Sequence, residues 1–430
     1  MPSSLDQNYL SVIKSISDRI VKAQAPIRIL DAAKWHPEVK EAFFASGFKK
    51  MPQINADYYR ERCPLGFDPA AKKREFHEID RDIMRQLGQL NPLTRIMRRT
   101  CREYITVVNM LESRGTADFG QYSQELYGSS LDVFHAGDPN VASLGTMLEA
   151  TLEKVLEHDS MSAGEKIFSS DQAVDFLNGK MQQVFPNSGV RVILDDGIIS
   201  DAAAGTDYIK VRRDATFNQQ DLDVLEVHEG WVHLGTTLNG LAQPYCTFLS
   251  KGPPSSTITQ EGLAVLTEII TLRSSPSRLS KLVRRVRAVT LAEDGADFVE
   301  VFRYLCDHGM SEEDSYVIAS RVFRGSTPDG MPFTKDISYI KGFILTYNFL
   351  RLAVAKGRLD RLPLLFMGKI LLEDIKILGD LQKEGILIPP PFIPPHFADM
   401  RGLVTWFSFS RFIGSLSFEK LEADYSHLID

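Results

Sequence analysis

Apolar residues recur at helical spacing along most of this chain. Leu10, Val12, Ile13, Ile16 and Ile20 share one side of an opening helix. The same periodicity predicts helices over about 71–90, 92–111, 141–158 and 171–185, the last ended by the turn Pro186-Asn187-Ser188-Gly189. The period then shortens to two. Val190 to Leu194 and Tyr208 to Arg212 alternate as strands, with Asp195-Asp196-Gly197 as a turn and Ala202-Ala203-Ala204-Gly205 between them. One reading is an edge strand whose free backbone groups pair with an extended peptide, the small residues at 202–205 allowing close approach. A plain structural hairpin fits the pattern equally. Helical spacing resumes at Leu222, Leu225 and Val232, from a start near Gln220 or Asp221. Residues 238–254, rich in Gly, Pro and Ser, read as a loop, after which Thr257 or Thr259 caps a helix carrying Leu263, Leu266, Ile269 and Ile270. Leu362 to Leu381 reads as a buried helix, and Pro389 to Pro395 as an extended segment packed on the body. The fold class expected is α+β, predominantly helical, with a small sheet. A helical N-terminal layer over 1–165 would pack on a core over 166–430.

Composition narrows the partners. Over 430 residues, 43% hydrophobic and 24% charged positions describe a globular protein able to bury a large core. A formal charge of −7 argues against nucleic acid or an anionic membrane as the main partner. No apolar run approaches the roughly 20 residues that span a bilayer. Met1 to Leu30 lacks a signal-peptide pattern, so a cytoplasmic location is expected. Cys63, Cys101, Cys246 and Cys306 are scattered and read as buried thiols without a metal role. Arg95, Arg98, Arg99 and Arg102 form a basic cluster, expected as a solvated helix face rather than a grip on an acidic partner. The sequence does not speak to oligomeric state.

The candidate chemistry lies in Val227-His228-Glu229-Gly230-Trp231-Val232-His233 and in the later Thr259-Gln260-Glu261-Gly262-Leu263-Ala264. Two imidazoles and one carboxylate fill three positions of a tetrahedral Zn²⁺ and leave the fourth for water. Glu229, beside the first histidine, suits a general base. The histidines, however, are five positions apart rather than the usual four. On a regular helix that separates them by roughly 140°. One extra residue taken up as a π-bulge would bring them together, with Gly230 supplying local backbone freedom. The motif therefore predicts a distorted helix between His228 and His233.

Gln260-Glu261-Gly262-Leu263-Ala264 resembles the signature of the bacterial flavohemoglobin expression-modulating QEGLA motif proteins. These are related to microtubule-associated tyrosine carboxypeptidases, which carry H-E-x-x-x-H followed by a similar E-G-L-A segment. The resemblance runs from about Ser123-Gln124-Glu125-Leu126-Tyr127-Gly128 to Thr334–Gly342. It implies a gluzincin-like, zincin-type peptidase core. One Zn²⁺ per chain would be held by His228, His233 and Glu261, with Glu229 as base and a peptide or protein C-terminus as substrate. Glu268 could support a ligand histidine, although a surface salt bridge is the expectation. A carboxypeptidase must hold a terminal carboxylate, and Arg324 and Lys335 are the candidates, with Arg321 in reserve. Tyr339 is the candidate for steadying the oxyanion, and Asp336 for orienting Lys335. Two other classes stay open: a regulatory or binding protein with a zinc site, and a zinc hydrolase of non-peptide amides. His396 and the remaining histidines are expected to be structural.

Overall fold

The computed structural model describes residues 6–158 and 164–428, and they form a predominantly helical α+β protein with small sheets. The opening helix, Gln7–Gln24, turns Leu10, Ile13, Ile16 and Ile20 inward and is capped by the Asp6 side chain. Pro69–Leu87 and Pro92–Glu112 begin alike, an Asp68 or Asn91 cap followed by proline, whose missing N–H costs nothing in a first turn. Val141–Leu156 and Ser170–Val184 complete the predicted set within a few residues.

Among the described residues, five short strands make two sheets. β1 (Phe168–Ser169) pairs with β5 (Thr216–Phe217) in antiparallel fashion, and β2 (Arg191–Asp195), β3 (Ala202–Ala204) and β4 (Tyr208–Arg212) assemble in the order β2-β4-β3. β4 is thus the central strand, parallel to β2 and antiparallel to β3, and the alanine tract is the edge. Ile209 and Val211 of β4 are fully buried against the helix Ser170–Val184.

Three segments depart from the pattern-based reading. The supposed loop 238–254 begins as helix Gly235–Leu241 and then makes a tight turn at Thr247–Ser250. The glutamate-bearing helix is Ser256–Ile270, so Thr257 and Thr259 lie within it and cap nothing. Its entry is fixed instead by Glu103, which accepts from the N–H and Oγ of Ser255 at 2.9 and 2.8 Å. The stretch 362–381 is not one helix but short turns at Pro363–Phe366 and Leu372–Asp374, followed by helix Ile375–Lys383. At the interruption the chain packs closely on the residues before the glutamate helix. A Cβ at Gly368 would sit 2.6 Å from the Leu249 carbonyl oxygen, which accepts instead from the Lys369 N–H at 2.7 Å.

The proline-rich segment is held on the body as expected, although Pro395 already opens the short helix Pro395–Ala398: Phe392 packs on Phe185 at 4.9 Å, and its backbone N–H and carbonyl both hydrogen-bond the Asn239 side-chain amide. The basic cluster is less solvated than its spacing suggests. Arg98 forks onto Asp80, and Arg99 pairs with Glu373 and Asp374. Two large apolar clusters fill the interior. One joins Leu10, Ile83 and Val107 to Val232, Leu263 and Phe407; the other joins Trp35, Phe43 and Val141 to Val265, Phe298 and Ile340. Each draws on both sides of position 165. No described helix is long and apolar enough to cross a membrane.

Candidate metal centre

The helix Gln219–Leu225 passes directly into a π-helix, Glu226–Leu234, which contains both motif histidines. This is the distortion that the five-residue spacing requires, because i→i+5 hydrogen bonding returns residues five apart to one face. The two rings meet edge to face, 4.7 Å between centroids. The far end of the π segment is pinned at the His233 carbonyl. Lys369 Nζ donates to it at 2.8 Å, Thr237 Oγ1 at 2.9 Å and Thr236 Oγ1 at 3.2 Å. Gly230 plays a different part from the one expected. Its φ is not positive; a Cβ there would collide with Met181 Cε at 2.5 Å, so the residue supplies room, not freedom.

Two carboxylates approach the imidazoles. Oε2 of Glu261 lies 3.3 Å from His228 Nε2 and 3.4 Å from His233 Nε2. Ligand atoms held about 2.0–2.1 Å from a tetrahedral zinc are about 3.3–3.4 Å apart along each edge. That same Oε2 is buried and has no hydrogen-bond partner among the described residues. A buried, unsatisfied carboxylate oxygen aimed between two imidazoles fits a cation. The other oxygen, Oε1, takes a 3.1 Å ion pair from Lys335. Burial opposes the charge on Glu261, but Lys335 and the two imidazoles outweigh it and hold the carboxyl well below its ordinary range.

Glu229 also stands within 4.8 Å of the imidazole nitrogens. Its Oε2, however, accepts the Ala204 N–H at 2.7 Å, which orients the carboxylate from the edge of the sheet. Of the two, Glu261 has the better geometry for a ligand.

Behind His228 lies a further layer of charge. Nδ1 meets Glu268 Oε1 at 2.6 Å, and Arg278 forks onto the same carboxylate at 3.1 and 3.3 Å. Glu268 is fully buried, so the expected surface salt bridge is overturned. Burial would raise its pKa, yet Arg278 and His228 bring it down to about 2. For His228, burial acts downward, but Glu261 and Glu268 raise it to about 10. Such a pocket favours positive charge at His228, which a divalent cation can supply as well as a proton can. Replacing Glu268 by glutamine should weaken metal binding about 10–100-fold, measured by competition with a chromophoric chelator. Unchanged affinity would remove Glu268 from this role.

Each residue of the Q-E-G-L-A run has a physical task. Gln260 Oε1 accepts from Lys369 Nζ at 2.9 Å and Thr236 Oγ1 at 2.8 Å, tying this helix to the π segment. Gly262 faces Gly342 of the helix Ser338–Ala355 so closely that a Cβ on either would overlap the other helix's backbone. Leu263 and Ala264 are fully buried. The crossing glycines place Glu261 beside Lys335 and Tyr339.

Two cavities flank the centre. The larger, about 500 Å³, is lined by His233, Glu261, Lys335, Lys369 and the edge residues Ala203 and Ala204. The smaller, about 250 Å³, is lined by His228, Glu229, Tyr339, Arg278, Arg285 and Arg321. Of the residues proposed for substrate, Lys335 lines the larger cavity and pairs with Glu261, while Tyr339 lies near-parallel to the His228 ring at 6.3 Å. Arg321 reaches the smaller cavity but is forked onto Asp336 at 2.6 and 2.7 Å, so Asp336 orients Arg321 and not Lys335. Arg324 lines neither cavity; it is buried with its guanidinium over Phe333, and burial, reinforced by Arg321, lowers its pKa to about 10. Lys369, Arg278 and Arg285 were missed by sequence reading. The arginines did leave a signal. Seven positions apart in Pro276–Glu293, they share a helix face. His396 is exposed beside Trp231, away from the centre.

The family model described as microtubule-associated tyrosine carboxypeptidase matches residues 41–415. No curated protein matches the chain. The matched span covers most of the chain and includes the π segment, the Q-E-G-L-A helix and Glu268, and the protein belongs to the microtubule-associated tyrosine carboxypeptidase family.

Proposed function

We propose that the protein is a zincin-type, zinc-dependent carboxypeptidase that removes a residue from the C-terminus of a peptide or protein. The observation that carries the reading is Glu261 Oε2, unsatisfied and 3.3–3.4 Å from both imidazole Nε2 atoms. His228, His233 and Glu261 would hold the ion. A zinc ion held there would supply Lewis acidity and make an attacking water more acidic. Glu229, aimed by the Ala204 N–H, takes the proton of the attacking water and delivers it to the leaving amine. Tyr339, whose ring lies beside that of His228, would donate to the developing oxyanion. The edge strand β3 offers outward backbone groups along which an extended substrate can align.

The test combines metal analysis with a mass-spectrometric screen of peptides that differ at the C-terminal residue. The expected outcome is near one zinc per chain and loss of a single C-terminal residue, stopped by chelation and restored by zinc. Internal cleavage would refute the carboxypeptidase assignment. Metal-free protein that trims normally would refute the zinc mechanism.

A further inference from the structure

Four arginines line the smaller cavity, and three of them are committed to carboxylates. Arg278 is held by Glu268, Arg321 by Asp336, and Arg212 by Asp201 and Asp214. Arg285 pairs with no carboxylate among the described residues. Its Nε is buried without an acceptor, and its guanidinium lies over the Tyr339 ring, 5.2 Å from the centroid. Of the lysines of the larger cavity, Lys335 pairs with Glu261 and Lys210 with Asp195, while Lys369 and Lys251 have neutral acceptors in the His233 carbonyl and Thr206 Oγ1. A cation that is desolvated yet unpaired is costly unless an anion joins it.

We infer that Arg285 binds the α-carboxylate of the substrate's last residue, with that residue in the smaller cavity and the preceding chain in the larger one. The inference rests on the carboxypeptidase reading and gives its exopeptidase character a residue. Three features support the direction of binding. The smaller cavity shares His228, Glu229 and Tyr339 with the reacting centre, so a carboxylate one residue beyond the scissile carbonyl stays within it. The Tyr339 ring neighbours both groups, 6.3 Å from the His228 ring and 5.2 Å from the Arg285 guanidinium. Val317, Ile318 and Met310 give the cavity an apolar side for the terminal side chain. Burial and the nearby Arg321 also push the Arg285 guanidinium below its ordinary pKa, a penalty that a bound carboxylate relieves.

The test uses the full chain with zinc loaded and Glu229→Gln to prevent turnover. Binding is measured by calorimetry for two peptides of one sequence, ending in a free carboxylate or a carboxamide. The free acid should bind about 100-fold more tightly, and Arg285→Gln should shrink that ratio to about 3-fold with zinc content unchanged. Arg285→Lys should keep a ratio of about 10-fold, and it decides the matter if the glutamine variant does not fold. A full ratio in Arg285→Gln, no preference in the parent, or no binding of either peptide overturns the inference. Trimming by the wild-type protein is followed in parallel. Normal trimming with the ratio intact in Arg285→Gln sinks the clamp alone, whereas absence of trimming sinks the carboxypeptidase reading beneath it.

Discussion

Glu229→Gln should lower kcat by about 10³-fold or more while the protein retains its metal. The substitution is isosteric, and the glutamine oxygen can still accept the Ala204 N–H that now reaches Oε2 at 2.7 Å. Position and packing therefore persist, and only basicity is lost. General-base catalysis is worth about 10²–10⁴-fold, so the proton transfer step should dominate the change. The variant also separates the two carboxylates near the imidazole pair. If Glu261 is the ligand, as its 3.3 and 3.4 Å approaches argue, metal stoichiometry stays constant in Glu229→Gln and falls in Glu261→Ala. The reverse pattern, measured by elemental analysis after dialysis, would exchange their roles. Activity within tenfold of wild type would remove Glu229 from the mechanism.

The largest stability effect should follow Gly262→Ala. An added Cβ would overlap the backbone of Gly342, and no rotamer change can relieve a clash with backbone. The helices Ser256–Ile270 and Ser338–Ala355 would have to separate. Overpacking typically costs about 1–3 kcal/mol, and a forced backbone shift belongs at or above the top of that range. The damage should reach the metal, because the second helix carries Tyr339 and follows directly from Lys335. Denaturant unfolding and chelator competition should both register the change. Gly179→Ala is the control: it lies in the helix Ser170–Val184 with nothing within 4 Å of an added Cβ. That change should be neutral or stabilise by about 0.5–1 kcal/mol. Equal responses of the two variants would contradict the tight crossing.

The sequence carried the centre more clearly than its surroundings, for a physical reason. A ligand pair five apart has one helical solution that brings both rings together, so the spacing of His228 and His233 by itself discloses the π segment. Glu268 was harder. Its seven-residue offset from Glu261 was visible, but whether a glutamate faces solvent or an imidazole depends on which helix packs opposite it. Gly230 shows the same limit, since its reason is the Met181 side chain from another helix. Arg324 and Arg285 illustrate the exchange of roles that follows. Each sits among other arginines in sequence, Arg324 after Arg321 and Arg285 between Arg284 and Arg287, and only the packing shows that one lies over Phe333 outside the cavities while the other borders Tyr339. The strand periods at 190–194 and 208–212 were readable, but their order was not, because pairing is decided by the connection through Ala202–Ala204.

The shared interior has a consequence for synthesis. The apolar cluster that contains Leu10, Ile83 and Val107 is completed by Leu350, Phe366 and Phe407. The opening helices cover part of one another's apolar faces, but the rest stays open until nearly the whole chain exists. At ~5–20 residues per second, that interval lasts tens of seconds. Contacts so distant in sequence also carry the entropic cost of closing long loops before any burial is gained. The nascent N-terminal region is consequently a natural client for chaperones that shield apolar surface, and truncation before residue 407 leaves that interior open.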